Sequence, residues 1–275
     1  MGIIDFILNL AGLLLWINWR SVRFDPLNKR TPATLIGTLR RAAPSKFRRW
    51  HLLAAIGALL VLRALFYWQI GPAAGWIGKL DMGVTAIFFR SNYFGEILLF
   101  SVFSFARMLV IFYVWLLLLS ILSGPQPIHR LVKIQLGQID GWPRWMKFIL
   151  PPAATALFWG LASRPFAWLH PKPVMSAAHR LEEALVIGLG SYLVWKFLIG
   201  ALLALHLLNS YIYFGKNPFW NYVNATAQTL LQPLKKIPLR FGKADFAPVV
   251  GIALVFLIAG FAARALVFLY SRLSF

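Results

Sequence analysis

The chain has 275 residues, 60% of them hydrophobic and 13% charged, with a formal net charge of +20. Soluble domains average about 25% charged residues, so a globule of this length has no interior for so much apolar surface and the bilayer must act as its solvent. The absence of cysteine excludes disulfides, thiolate metal sites and thiol nucleophiles. The cations lie mostly in short loops between apolar runs, a distribution that points to membrane topology and anionic lipid and not to a nucleic-acid-binding face.

The first apolar run, 3–19, has no Lys or Arg before it and no small-residue cleavage site after it. It is expected to be an uncleaved membrane segment with its N-terminus outside. Asn9 and Asn18 leave two readings open, a full span and a helix lying in the interface. Further spans are expected at about 51–70, 97–122, 147–168, 184–212 and 246–270, each long enough to cross roughly 30 Å of hydrocarbon as a helix. Pro151, Pro152 and Pro165 should kink the fourth near its ends. The predicted fold class is therefore all-α: a multi-pass transmembrane bundle of about six spans.

The loops support the same count. Eighteen of the 28 Lys and Arg fall in 20–50, 123–147 and 213–245, whereas the alternate loops and the C-terminal tail hold five, Lys79, Arg90, Lys172, Arg180 and Arg272. This asymmetry places the three basic connectors in the cytoplasm and both termini outside.

The connectors also repeat. Each opens on a polar residue and proline, at Asp25-Pro26, Gln126-Pro127 and Asn217-Pro218, and then runs through an amphipathic stretch and further prolines into the next span. An arginine follows the first proline by 37, 37 and 46 residues, at Arg63, Arg164 and Arg264. The expected unit is a helical hairpin with an amphipathic cytoplasmic elbow, in three copies: an N-terminal degenerate hairpin over 1–70, a second over 97–170 and a third over 184–275. All copies share one orientation, which weakens an inverted-repeat transporter reading.

In the third elbow, Phe219, Tyr222, Val223, Thr226, Leu230 and Leu234 recur at helical spacing, and Asn217 suits the cap of a helix with Pro218 in its first turn. Lys235, Lys236, Arg240 and Lys243 follow as a basic cluster, and Arg40 and Arg41 occupy the matching place in the first elbow. Such a helix is expected to lie in the headgroup plane, apolar face down, each cation contributing roughly 1 kcal/mol on anionic lipid. Two readings remain: a packed connector whose charges only fix topology, and a docking surface for lipid or a cytoplasmic partner.

The run Asn217-Pro218-Phe219, then Pro233-Leu234-Lys235-Lys236, Pro238 and Asp245-Phe246-Ala247-Pro248 resembles the signature of the YggT family, over about 40 residues within 215–258. Asp140, Trp142 and Pro143 mark a weaker copy over 97–170. Ala244 and Ala247 depart from the residues usual in that signature. The resemblance implies a small bacterial inner-membrane protein linked to assembly of membrane complexes, envelope organisation or tolerance of osmotic and ionic stress. It implies no catalytic residue, so the matched positions transfer only as structural landmarks. Asp245 suits a cap for the last span, with the adjacent basic cluster as its other candidate partner.

Five cations fall inside spans: Arg63, Arg107, Arg164, Lys196 and Arg264. At about 1.5 Å per residue, Arg164 and Arg264 lie near the outer surface and Arg63 somewhat deeper, all within snorkelling reach. Arg107 and Lys196 lie near the bilayer centre, where each costs at least about 2.5 kcal/mol unless partnered. They are either satisfied by carbonyls and hydroxyls or form an anion, lipid-headgroup or permeation site.

Other chemistry has little support. His51, His129, His170, His179 and His206 form no short metal pair; a haem held by His51 and His206 is the remote alternative to ordinary hydrogen bonding. The outer acids Asp81, Glu96, Glu182 and Glu183 suit pairing with Arg90, Arg180 or snorkelling arginines better than a catalytic dyad. No phosphate-loop, nucleophile-elbow or zinc spacing occurs. The expectation is a non-enzymatic organising or assembly factor without cofactor or metal, engaging anionic lipid and partner proteins through its elbows, with self-association as a further option. An ion or small-osmolyte transporter or channel lined by Arg107 and Lys196 is the rival.

Overall fold

A computed structural model describes residues 2–21, 49–122, 129–169, 177–212, 217–237, 239–241 and 244–273. The chain is an all-α, multi-pass membrane protein. Its helices are α1 (Gly2–Ser21), α2 (Arg49–Ile70), α3 (Phe94–Leu122), α4 (His129–Leu136), α5 (Arg144–Leu169), α6 (Ala177–Gly190), α7 (Trp195–Tyr211), α8 (Pro218–Leu230) and α9 (Ala247–Leu273).

Five helical stretches are long and apolar enough to cross a membrane: Gly2–Arg20, Trp50–Ile70, Phe94–Leu122, Ala178–Tyr211 and Ala247–Leu273. The fourth of these joins α6 to α7 through a 3-10 turn, Ser191–Val194. The helix over the expected span 147–168 has 26 residues, but it is not among the five. Arg144, Lys147 and the Pro151-Pro152 pair make α5 the more polar helix.

The chain divides into two compact units, residues 1–80 with 88–109 and residues 81–87 with 110–275. In the first, α1 packs along α2. An aromatic cluster closes the end of α2: Tyr67 stacks on Trp76 at 4.2 Å, and the Phe100 ring meets both edge-on. Gly78 sits against Phe100, where an added Cβ would come within 3.2 Å of the ring.

The loop 71–96 is not irregular throughout. It contains a β-hairpin, β1 (Ile77–Asp81) with β2 (Ala86–Arg90). Its turn closes with Met82 N–H on the Thr85 carbonyl at 2.8 Å. Gly83, at φ 87°, supplies the positive φ such a turn needs, and its N–H donates to Asp81 Oδ1. The signal for it was Asp81-Met82-Gly83 between two short runs, and it was masked by the apolar spans on either side.

In the second unit α5 packs along α6, and α9 along both α6 and α7. Gly188 lets α6 approach the α5 backbone: a Cβ there would lie 2.5 Å from the Pro152 carbonyl oxygen. The helix α5 runs unbroken from Arg144 to Leu169 despite its prolines. Proline at 152 has no N–H for the carbonyl four residues back, and in lipid that oxygen has no water to turn to. The Tyr192 hydroxyl fills the gap, donating to the Phe148 carbonyl at 2.5 Å. Trp115 and Trp195 exchange a similar service, each indole N–H donating at 3.1 Å, to the carbonyls of Val194 and Val114.

Candidate functional site

The third elbow is built from its ends inward. Asn217 caps α8, its Oδ1 accepting from Phe219 N–H at 3.0 Å, and Pro218 holds the first helical position, where its missing N–H costs nothing. Tyr222, Val223, Thr226 and Ala227 are buried. Ala227 and Leu231 join Leu203 of α7 and Ala247 of α9 in one core, with Leu234 packed against it. The chain turns through a 3-10 segment, Gln232–Lys236, and an antiparallel pair of two-residue strands, Arg240–Phe241 and Ala244–Asp245. It then enters α9, where Asp245 Oδ1 accepts from Ala247 N–H at 3.0 Å. Pro248 is buried, and Gly251 makes room for Leu203 and Leu231, each 3.1 Å from where its Cβ would stand.

Two expectations change. The apolar face of α8 lies on the protein and not on the headgroup plane, because the feet of α7 and α9 supply a closer apolar surface than lipid. Phe219, expected on that face, is exposed, since capping by Asn217 places it at the open end of the helix. On the far side His206 Nδ1 lies 2.8 Å from Asn224 Oδ1, tying α8 to α7 by a polar contact as well.

Asn217, Asp245, Pro218, Leu234 and Pro248 are thus joints of the elbow: two caps, a first-turn proline, a packed leucine and a buried proline. Lys235, Lys236 and Arg240 lie on its backbone path, but their side chains are not described. Pro238, Lys243, Arg40 and Arg41 fall outside the described residues, as does most of the first elbow. Replacing Asn217 or Asp245 by alanine is expected to lower stability by about 1 kcal/mol each, measured as a shift in thermal unfolding in detergent. No shift in either variant contradicts this account of the caps.

In the second connector α4 packs through Val132 and Leu136 on Leu116 and Leu117 of α3. Lys147 is buried there, its Nζ donating to Ser120 Oγ at 2.8 Å and to the Asp140 carbonyl at 2.6 Å, while Ser120 Oγ donates to Asp140 Oδ1 at 2.5 Å. A cation counted toward topology is therefore also a structural clasp.

A third polar cluster lies in the first unit. Arg63 was expected to snorkel; it is 1% exposed instead. One guanidinium nitrogen donates to Asn9 Oδ1 at 2.8 Å, and the other to Asp5 Oδ1 at 2.7 Å and Ser104 Oγ at 2.9 Å. Tyr67 Oη adds a bond to Asp5 Oδ1 at 2.9 Å, and Asn9 Nδ2 one to Ser104 at 3.0 Å. The guanidinium carbon stands 5.2 Å from the Phe100 ring centre. The correction has a simple cause: Asp5 sits one turn into α1, which runs beside α2, so an internal carboxylate is nearer than the membrane border. Asn9, which left α1 open to two readings, is the second partner of Arg63 within the bundle.

Lys196 is half-buried with its Nζ 5.0 Å from the Phe197 ring centre, Arg107 is half-buried, and Arg264 is exposed. The side chain of Arg164 is not described. Of the four acids Asp81, Glu96, Glu182 and Glu183, Glu96 pairs with Arg90 at 3.3 Å, whereas buried Glu183 accepts from the Tyr270 hydroxyl at 2.9 Å in place of an arginine. Among the described residues no group of three His, Asp or Glu is placed to hold a metal ion. The chain matches no family model, no curated protein and no solved structure.

Proposed function

We propose that this protein is a non-enzymatic organising or assembly factor of a bacterial-type inner membrane, as its resemblance to YggT proteins implies, with both termini outside and the elbows in the cytoplasm. The observation that supports this reading is the spent apolar face of the third elbow. With Tyr222, Val223, Thr226 and Ala227 buried in the protein, the elbow does not depend on lipid for its position. Caps at Asn217 and Asp245 fix both of its ends. Lys235, Lys236 and Arg240 follow α8 on the path to α9, and cations so placed suit anionic headgroups and an acidic face of a partner protein. Each Lys or Arg on such a surface adds about 1 kcal/mol.

The test is co-purification from native membranes in mild detergent. Wild type should retain a defined partner, and Lys235→Gln with Lys236→Gln should lose it while keeping the thermal stability of the parent. Retention of the same partner by the double variant, or recovery of none by wild type, overturns the proposal. Ion flux from the purified protein alone in liposomes overturns it in favour of transport.

A further inference from the structure

We infer that the C-terminal half of α9 is a binding site for an anionic phospholipid, separate from the elbow and independent of its role. Leu257, Phe261, Arg264, Phe268 and Arg272 are all exposed. Their spacing of four, three, four and four residues puts them within one face of a helix. Tyr270 projects from the opposite side of α9 and is bonded to Glu183 of α6, so the stripe points away from the neighbouring helices of its unit.

A cation on such a face needs an anion. The ion pairs Arg63 with Asp5 and Arg90 with Glu96 involve neither Arg264 nor Arg272. The chain has eight acids against 28 Lys and Arg, so little carboxylate is left for it. A helix of this length is about 40 Å long, about 10 Å more than the hydrocarbon; centred, it holds Arg264 roughly 8 Å inside the nearer border. Side chains on a helix lean toward its N-terminus, which for Arg264 is away from that border. Snorkelling is therefore against the grain, and a phosphate drawn inward is the better partner. Arg272 lies two turns on, about 12 Å nearer the end of α9. Its guanidinium carbon is 4.6 Å from the Phe268 ring centre, which holds it along the same stripe. Two guanidiniums bracket one headgroup, forming charge-assisted bonds to phosphate oxygens, while Leu257 and Phe261 line the path of an acyl chain.

The test uses the full chain in detergent, titrated with phosphatidylglycerol and, separately, with phosphatidylcholine, with bound lipid counted by native mass spectrometry. Wild type should bind phosphatidylglycerol in preference. Arg264→Met with Arg272→Met should weaken that binding about tenfold or more, and Arg264→Lys with Arg272→Lys should restore most of it. Equal binding by the methionine variant overturns the inference, as does equal affinity for the two lipids. A photo-crosslinker at Phe261 should give a lipid adduct; a dimer of the chain instead assigns the stripe to a second copy and overturns it too. Inorganic phosphate that competes as well as the lipid removes the acyl contribution and refutes the site as drawn.

Discussion

Methionine in place of Arg63 is expected to destabilise the protein by about 3–5 kcal/mol, the usual cost of breaking a buried ion pair from one side. The reason lies less in the bonds lost than in the charge left behind. Wild-type Arg63 is enclosed, with Asp5 the less buried partner at 20% side-chain exposure. Remove the guanidinium and the Asp5 carboxylate keeps only the Tyr67 hydroxyl, in surroundings too apolar to stabilise its charge. Asn9 and Ser104 lose their shared partner at the same time. Asp5→Leu combined with Arg63→Met should recover much of the loss, because replacing both members of a buried pair by apolar residues is often close to neutral. Arg63→Lys should fall between, since an ammonium is a point donor and lacks the fork that reaches Asn9 and Asp5 together. Unfolding of each variant in mixed micelles, followed by tryptophan fluorescence, measures the series. A methionine variant as stable as the parent, or a double variant worse than either single, removes the pair as the bond that holds α1 in place.

Much of the membrane architecture is legible because apolar run length and loop charge are one-dimensional properties. Tyr222, Val223 and Thr226 at helical spacing announce α8, and the order Asn217, Pro218 announces its start, since capping chemistry is local. What covers α8 is not local. The same apolar stripe suits a headgroup plane or a neighbouring helix, and only the convergence of Leu203, Leu231 and Ala247 decides for the protein. Arg63 fails for the same reason. Its depth can be counted along the chain, but its partner is 58 residues away in sequence and one turn into a different helix. Matching depth on a neighbouring helix is the signal that points to Asp5. The hairpin at 77–90 is short enough that its two strands and turn are outweighed by the spans beside it.

Leucine at Gly188 is expected to drive α5 off α6. A Cβ at 188 alone would stand 2.5 Å from the Pro152 carbonyl oxygen and 3.1 Å from Ala156 Cβ. Both obstacles are rigid, one being backbone, so no side-chain rotation relieves the clash. Overpacking of this kind costs about 1–3 kcal/mol where side chains can yield, and a backbone obstacle belongs at the upper end. The consequence reaches beyond the steric term. If α5 moves away, Tyr192 loses the Phe148 carbonyl, and the oxygen orphaned by Pro152 is left without a donor in an apolar medium. The two effects are coupled, so Gly188→Leu with Tyr192→Phe should cost less than the sum of the single changes. Gly160→Leu on α5 is the control, because nothing lies within 4 Å of the Cβ it would add. The native chain has no cysteine, so disulfide formation between Ala156→Cys and Ala184→Cys reports the α5–α6 approach directly. That cross-link should form readily in the parent and in the Gly160 variant and fall sharply in the Gly188 variant. If it forms equally in all three, α5 does not depend on the close approach at Gly188, and the prolines of α5 are accommodated some other way.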